Sequence, residues 1–517
     1  MDQSQTPLVD ALQHCAQRSN AAFYTPGHKR GQGTTPRQHQ LFGLAAFQAD
    51  LPELPELDNL FAPEGVILHA QQLAAEAFGA QQTWFLANGS TCGIEAAILA
   101  TCGPGDKIIV PRNAHLSVIS GLILSGAIPL YISPPYSHDW KMPIGIRPDS
   151  ISAALKAHPD TKAVLLVSPT YEGLCSSIKL AAEITHKYNI PLIVDEAHGP
   201  HFAFHPSLPP TALEASADIV VQSAHKVLSA FTQASMLHVQ GDRIDKNRLS
   251  QALQITQSSS PSYLLLASLD AARHQMSTEG KELLTQTIKL ANKAHQALQE
   301  LPGLKVLRPK NQLPKNQIPK NQNVLKHQSN NLNGDCTRLT VNVLGLGLTG
   351  FEADQILHTQ YAVTAELPTL SNLTFIISIG NTEKDIDRLV RGFEGLCKSH
   401  ASDSHKTSPN VLSPDFYDQW THSSVSPEIQ LPQTISVAAC SPRQAFFSTK
   451  KPLSLEQAIG QVCAETLSPY PPGIPVILPG EVITESAIAQ IQTTLKAGGT
   501  ITGSTDPTFK TILTVTP

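Results

Sequence analysis

Asp218-Ile-Val-Val-Gln-Ser223-Ala-His-Lys226 is a short β-branched run that ends on a lysine, and thirty-one residues before that lysine stands Asp195, at the end of Pro191-Leu-Ile-Val194. Both stretches read as apolar strands that break into a polar cluster at their carboxyl ends. An ammonium at the end of such a strand is partly desolvated, which lowers its pKa and frees the amine to attack a carbonyl. A buried carboxylate, here Asp195, stabilises a protonated nitrogen placed against it. Taken singly, Lys226 reads as a helix-start lysine and Asp195 as a strand-end cap. Together they match what pyridoxal phosphate requires, because its ring draws electrons only while its nitrogen stays protonated.

Working outward, the sequence from about 60 to 300 alternates apolar helical stretches with short strands, the pattern of parallel strands joined by crossover helices. Thr83-Trp-Phe-Leu-Ala87, Lys107-Ile-Ile-Val110, Ala163-Val-Leu-Leu-Val167, Pro191-Leu-Ile-Val194 and Asp218-Ile-Val-Val221 are the expected strands. Each is followed by a polar or glycine-bearing motif, and ligands of open parallel sheets bind beyond the carboxyl ends of the strands. Val66 to Phe78, stopped by Gly79, reads as a packing helix.

Four of those motifs carry chemistry. Asn88-Gly-Ser-Thr91 precedes a helical run from Ile94 to Ala100, so Ser90 and Thr91 offer hydroxyls and amides to an anion at a helix N-terminus; plain helix capping is the simpler reading of that stretch alone. Ser223 and His225 offer a second set of phosphate donors. His115, in Pro111-Arg-Asn-Ala-His115, is an aromatic candidate to stack on the cofactor ring. His198 reads equally as an acid or base near the reacting bonds and as the partner that orients Asp195.

The remaining composition removes several function classes. Of 517 residues 41% are hydrophobic and the net charge is -5, the profile of a globular protein with no polyanion to bind, so nucleic acid is not an expected partner. No apolar run approaches the roughly 18 residues of a spanning helix and no signal segment opens the chain, which leads to the expectation of a cytoplasmic protein with no membrane partner. The eight cysteines form no Cys-x-x-Cys pair and the twenty histidines no ligand spacing, so no metal site is expected.

The expected domains are an N-terminal segment (1–60), a cofactor-binding large domain (61–300), an insert (301–334), a small α/β domain (335–398), a linker (399–420) and a C-terminal α+β domain (421–517). The insert holds Pro-Lys-Asn-Gln three times, beginning at Pro309, Pro314 and Pro319, a composition that buries no core and is expected to be disordered.

Six motifs, in order, bear on identity: Thr25-Pro-Gly-His-Lys-Arg-Gly31, Val167-Ser-Pro-Thr-Tyr-Glu-Gly173, Asp195-Glu-Ala-His-Gly199, Gln222-Ser-Ala-His-Lys226, Ser260-Pro-Ser-Tyr263, and Tyr470-Pro-Pro-Gly-Ile-Pro475 with Pro479-Gly-Glu481. The chain resembles the bacterial ornithine/lysine/arginine decarboxylases over nearly its whole length, in their short form without an N-terminal wing. The resemblance implies an α/β protein of the pyridoxal-phosphate-dependent transferase fold type I, decarboxylating a basic amino acid in polyamine or diamine metabolism. It further implies Lys226 as the Schiff-base lysine, Asp195 at the ring nitrogen, His115 on the ring face, and Ser90, Thr91, Ser223 and His225 on the phosphate. Lys226 or His198 would return the proton to carbon.

The resemblance also implies a homodimer with shared sites, Ser258 reaching the neighbour's phosphate, and Glu366 as the carboxylate for the substrate's basic end, with Asp58 as second choice. Glu465 or Glu481 are further carboxylates for the site entrance. The fold alone leaves room for an aminotransferase or a β-eliminating lyase, with Arg338 as substrate-carboxylate ligand, and for a catalytically silent regulatory homologue.

Overall fold

The computed structural model describes residues 1–309, 333–400, 435–436, 438–470 and 474–516. The Pro-Lys-Asn-Gln repeats beyond Pro309, the expected linker beyond residue 400 and Pro471-Pro-Gly473 lie outside the described residues. The strands used below are β1 (Gln82–Leu86), β2 (Lys107–Pro111), β3 (Ile128–Ile132), β4 (Thr161–Val167), β5 (Leu192–Asp195), β6 (Ile219–Gln222), β7 (Ser235–Val239), β8 (Lys305–Val306), β9 (Arg338–Asn342), β10 (Leu367–Pro368) and β11 (Asn372–Ile376). The helices are α1 (Pro7–Gln17), α2 (Val66–Phe78), α3 (Gly89–Thr101), α4 (Leu116–Ser125), α5 (Ala224–Val227), α6 (Tyr263–Gln299), α7 (Gly350–Tyr361) and α8 (Glu383–His400).

The chain divides into two compact units, Met1–Thr101 with Pro191–Thr285, and Cys102–Ile190 with Gln286–Pro517. In the first, the strands run in the order β1-β7-β6-β5. β5 and β6 are parallel, with Asp195 opposite Val221. β7 is antiparallel to both β1 and β6. That strand was not among those expected, because Ser235-Met-Leu-His-Val239 carries a serine and a histidine; both are fully buried here. All five expected strands are present, each within two residues of its expected ends.

Glycine permits the close approach of α3 to this sheet. A Cβ on Gly93 would meet Leu86 Cδ1 at 2.7 Å and Val221 Cγ1 at 2.8 Å. The N-terminal residues belong to the same unit: Leu8 N donates to Asp270 at 3.0 Å, and Arg273 donates to the carbonyls of Gln3 and Gln5. Asp270 and Arg273 pair with each other and neither side chain is exposed. A buried ion pair of this kind is tolerable because most of its remaining hydrogen-bonding capacity is taken up by the backbone of Gln3, Gln5 and Leu8.

The second unit holds the parallel strands β4-β2-β3. It also holds an antiparallel sheet, β8-β9-β11-β10, whose core joins Leu339, Val341 and Phe375 to Leu357 of α7 and Phe393 of α8. Its C-terminal part packs a smaller cluster around Cys463, Leu467, Ile477, Ile491 and Ile512.

α2 begins and ends where the sequence predicts, closing on Gly79 at φ 75°. Its N-terminus gives Asp58 a structural role. Asp58, second choice for the substrate's basic end, instead accepts from the backbone N–H groups of Asn59, Glu64, Gly65, Ile67 and Leu68 at 2.8 to 3.4 Å. Burial raises its pKa, but the bonds from Glu64, Asn59, Gly65 and Leu68 outweigh that and hold it below the usual carboxylate range. A depressed carboxylate contributes stability above its unfolded pKa and loses it as pH falls through the folded value. Asp58→Ala is therefore expected to cost about 1–2 kcal/mol at neutral pH. Chemical denaturation should show the gap to wild type closing on acidification.

Candidate active site

Because β7 is antiparallel to both of its neighbours, β1, β5 and β6 point the same way. Their carboxyl ends therefore lie along one edge of the first unit, and the polar motifs follow there. α3 starts at Gly89, earlier than the run Ile94–Ala100 suggested, so Ser90 and Thr91 sit in its first turn. Ser223 Oγ donates to Ser90 Oγ at 2.9 Å, which brings the two expected phosphate-binding serines together across β1 and β6. Thr91 is exposed, Ser90 half-buried and Ser223 fully buried.

Lys226 lies in α5, directly after β6. Its Nζ is 2.9 Å from His198 Nε2, a lysine and an imidazole within proton-transfer distance. His198 is 4% exposed and Asp195 6%, so both are shielded from bulk water. One Asp195 oxygen accepts from Ala197 N at 3.1 Å. His225 donates from Nδ1 to the Ala234 carbonyl at 3.1 Å, since a carbonyl can only accept, and Nε2 is thereby left as its other ligating atom. Burial, and to a lesser degree the Lys226 charge, hold the His225 pKa down against that bond.

Ser258, also in the first unit, is exposed and its Oγ accepts from Ser260 N at 3.1 Å. The other expected residues belong to the second unit. His115 is the N-cap of α4: its Nδ1 accepts from Ser117 N at 3.2 Å, which fixes the ring. Glu366 is exposed, its N–H bonded to Thr374 O at 3.0 Å, and its charge acts on Arg338. Arg338 is fully buried with Nε 4.0 Å from Asp335 Oδ2, and burial lowers its pKa despite that carboxylate.

The carboxylates suggested for the entrance are structural within the second unit. Glu465 accepts from Thr505 and from Leu513 N. Glu481 accepts from Leu478 N and, at 2.8 Å, from Arg112, whose guanidinium also donates to the carbonyls of Pro475 at 2.9 Å and Val476 at 2.8 Å. Arg112 stands three residues before His115, so the C-terminal motifs hold the loop on which His115 sits.

The residues Arg112, Glu196, Gln222 and His238 were missed by the sequence reading. The first three stand inside quoted motifs. A polar residue next to a catalytic one was the available signal. Among the described residues no group of His, Cys, Asp or Glu is placed to hold a metal ion. Nor is any described helix long and apolar enough to cross a membrane.

With this geometry in hand, comparison with known proteins is specific. The family model of the Orn/Lys/Arg decarboxylase major domain matches residues 6–385, and that of the C-terminal domain residues 430–504. The chain belongs to the Orn/Lys/Arg decarboxylase family. Within it, the chain is 37% identical to an arginine decarboxylase of Bacillus subtilis, over 99% of this chain and 98% of that one. It is 36% identical to an arginine decarboxylase of Halalkalibacterium halodurans, over 99% and 97%. Among solved structures, lysine decarboxylase A from Pseudomonas aeruginosa has a TM-score of 0.81 at 24% identity, covering 99% of this chain and 80% of that one. That likeness establishes the α/β fold of these decarboxylases with its mainly parallel central sheet.

In this family member Arg112 is the side chain that ties the C-terminal motifs to the β2 loop. Arg112→Ala should lower the melting temperature by several degrees, corresponding to about 2–3 kcal/mol for a broken, partly buried, multiply bonded charge. Arg112→Lys should recover less than half of it, because lysine lacks the forked donors. Thermal unfolding of the three proteins checks both.

Proposed function

We propose that the protein is a pyridoxal-phosphate-dependent decarboxylase of a basic L-amino acid, arginine, working as a homodimer in polyamine or diamine metabolism. The observation that carries the reading is the 2.9 Å pair of Lys226 Nζ and His198 Nε2, with Asp195 buried three residues before His198. Arginine is preferred over lysine and ornithine because the full-length relatives above 35% identity bear that name.

The donor set suits the cofactor. Ser90 and Ser223, already in contact at the N-terminus of α3, would hold its phosphate with Thr91 and His225. A phosphate dianion at His225 Nε2 would favour the imidazolium and reverse the lowering that burial imposes. Asp195 would hold the proton on the ring nitrogen, His115 would cover the ring face, and Ser258 of a second copy would complete the phosphate site. Exposed Phe231 (57%) and Ile255 (75%), on the segments flanking Lys226 and Ser258, suit an apolar surface covered in a dimer.

Pyridoxal phosphate supplies an electron sink conjugated to the substrate's Cα. The chain itself supplies orientation and protons. Lys226 would hold the cofactor's aldehyde carbon, and the proton shared between its Nζ and His198 Nε2 would be the one available to the substrate's Cα. The Cα–carboxylate bond breaks, carbon dioxide leaves, its electron pair stays with Cα, and one proton is taken up there. Burial of Asp195, His198 and Ser223 keeps water from competing for that position. Glu366 would face the guanidinium of arginine.

Arg338 supports this reading over an aminotransferase. An arginine that binds the substrate carboxylate would stabilise the group that must leave, whereas Arg338 is buried against Asp335.

Purified protein supplied with pyridoxal phosphate should release carbon dioxide from arginine faster than from lysine, ornithine or a neutral amino acid. Lys226→Ala should abolish release, and His198→Gln should slow it by about 10²–10⁴-fold, the usual worth of a positioned acid or base. Transfer of the amino group to a keto acid without gas release would replace this reading with the aminotransferase.

A further inference from the structure

One residue beyond Asp195 and one residue before Ser223, the first unit contains a buried polar chain that the chemistry above does not use. Thr83 Oγ1 lies 2.8 Å from His238 Nδ1, and His238 Nε2 lies 3.1 Å from Gln222 Oε1. Gln222 Nε2 donates to Glu196 Oε2 at 2.7 Å, and Ala212 N donates to Glu196 Oε1 at 2.7 Å. All four side chains are at most 2% exposed.

Burial sets the proton inventory of this chain. It holds the His238 pKa down to about 3, so the ring is neutral and has one donor and one acceptor nitrogen. It pushes the Glu196 pKa up to about 8, against the bonds from Gln222 and Ala212. Two arrangements keep all three side-chain bonds of the chain. With Glu196 ionised, Thr83 donates to Nδ1, Nε2–H donates to Gln222, and the amide donates to the carboxylate. With Glu196 protonated, the Gln222 amide turns over and the three side-chain bonds reverse, while Ala212 N still donates to Glu196 Oε1. In both arrangements Gln222 bridges the same two partners, so the geometry survives either charge state.

Location gives the chain its consequence. The ladder between β5 and β6 ends with Asp195 opposite Val221 and one further bond, Glu196 N to Val221 O at 2.9 Å. Glu196 and Gln222 occupy the next position along both strands. Beyond it the two segments leave the sheet, one carrying His198 and the other Lys226.

We propose that Gln222 is a positioning residue. Bridging Glu196 and His238, it locks the segment of Asp195 and His198 to the strand end of Ser223 and Lys226, and so sets the distance between Lys226 and His198. The inference rests on the proposed function only for its catalytic meaning. The distance itself belongs to the chain.

The test measures the pH midpoint for acetylation of Lys226 in the full chain without cofactor, read by peptide mass spectrometry. His198, at its Nζ, and His225, through charge, are titratable groups that act on it. Gln222→Leu should move the midpoint down by about one pH unit, because the ammonium loses the imidazole that accepts from it. Glu196→Leu should do the same. Glu196→Gln, whose amide N–H can replace the donating carboxylic acid of the reversed arrangement, should bring the midpoint back toward wild type.

A purely packing role would lower the melting temperature of Gln222→Leu and leave the midpoint in place. That result, or an upward shift, overturns the proposal. Should Gln222→Leu not fold, Thr83→Val, nearly equal in volume, should move the midpoint in the same direction by a smaller amount; an unmoved midpoint there overturns the proposal equally. With pyridoxal phosphate added, the pH titration of its visible absorbance should shift in the same variants. Absence of any bound absorbance in wild type would remove the decarboxylase reading and leave the acetylation result standing.

Discussion

The parallel pairing of Leu192–Asp195 with Ile219–Gln222 is the constraint on which the site depends. Both strands are buried along their whole length, so their apolar side chains leave no freedom to slip: a shift by one residue would turn Asp195 toward the opposite face. Their shared direction delivers Asp195 and Ser223 to one edge. β7, antiparallel between β6 and β1, preserves that direction for β1 and so brings Ser90 to the same edge. A lysine, an imidazole, a carboxylate and two hydroxyls are thereby gathered by backbone pairing before any side chain chooses a rotamer.

Placing such groups out of water carries a penalty that only specific partners offset. The same requirement makes the site stiff, because each buried donor must find its acceptor and few arrangements satisfy all of them. Lys226 meets His198, Ser223 meets Ser90, and Asp195 takes an amide from Ala197. The chain from Thr83 to Glu196 extends that logic into the sheet. It explains why a histidine stands in a strand with no exposure to solvent: His238 bonds Thr83 on one side and Gln222 on the other. In the second unit Arg112 plays a comparable part, joining Glu481 and two carbonyls of the C-terminal motifs to the loop before His115.

Much of the architecture was legible in the residues. Apolar strands of β-branched residues, each closed by a polar motif, give their positions away because a buried parallel strand has no use for polar side chains except at its end. The strand β7 escaped notice for the same reason in reverse: Ser235 and His238 break the apolar pattern, and only the partners supplied by other strands make them acceptable inside. Asp58 is the converse case. An acidic stretch near a suspected basic-substrate site can supply a ligand or a cap, and here five backbone N–H groups, from Asn59 to Leu68, hold that carboxylate as a cap.

The sequence by itself determined the residue types, their order and the strand ends on which they stand, and with these the decarboxylase family and the lysine–aspartate pair. These are local or cumulative properties: hydrophobic periodicity, motif spacing and the intrinsic chemistry of a side chain. Which atoms meet was decided only by the tertiary structure. That Lys226 touches His198, that Gln222 bridges Glu196 and His238, and that Asp58 caps a helix depend on strand register and on the satisfaction of buried hydrogen bonds, and neither is set until distant segments have packed.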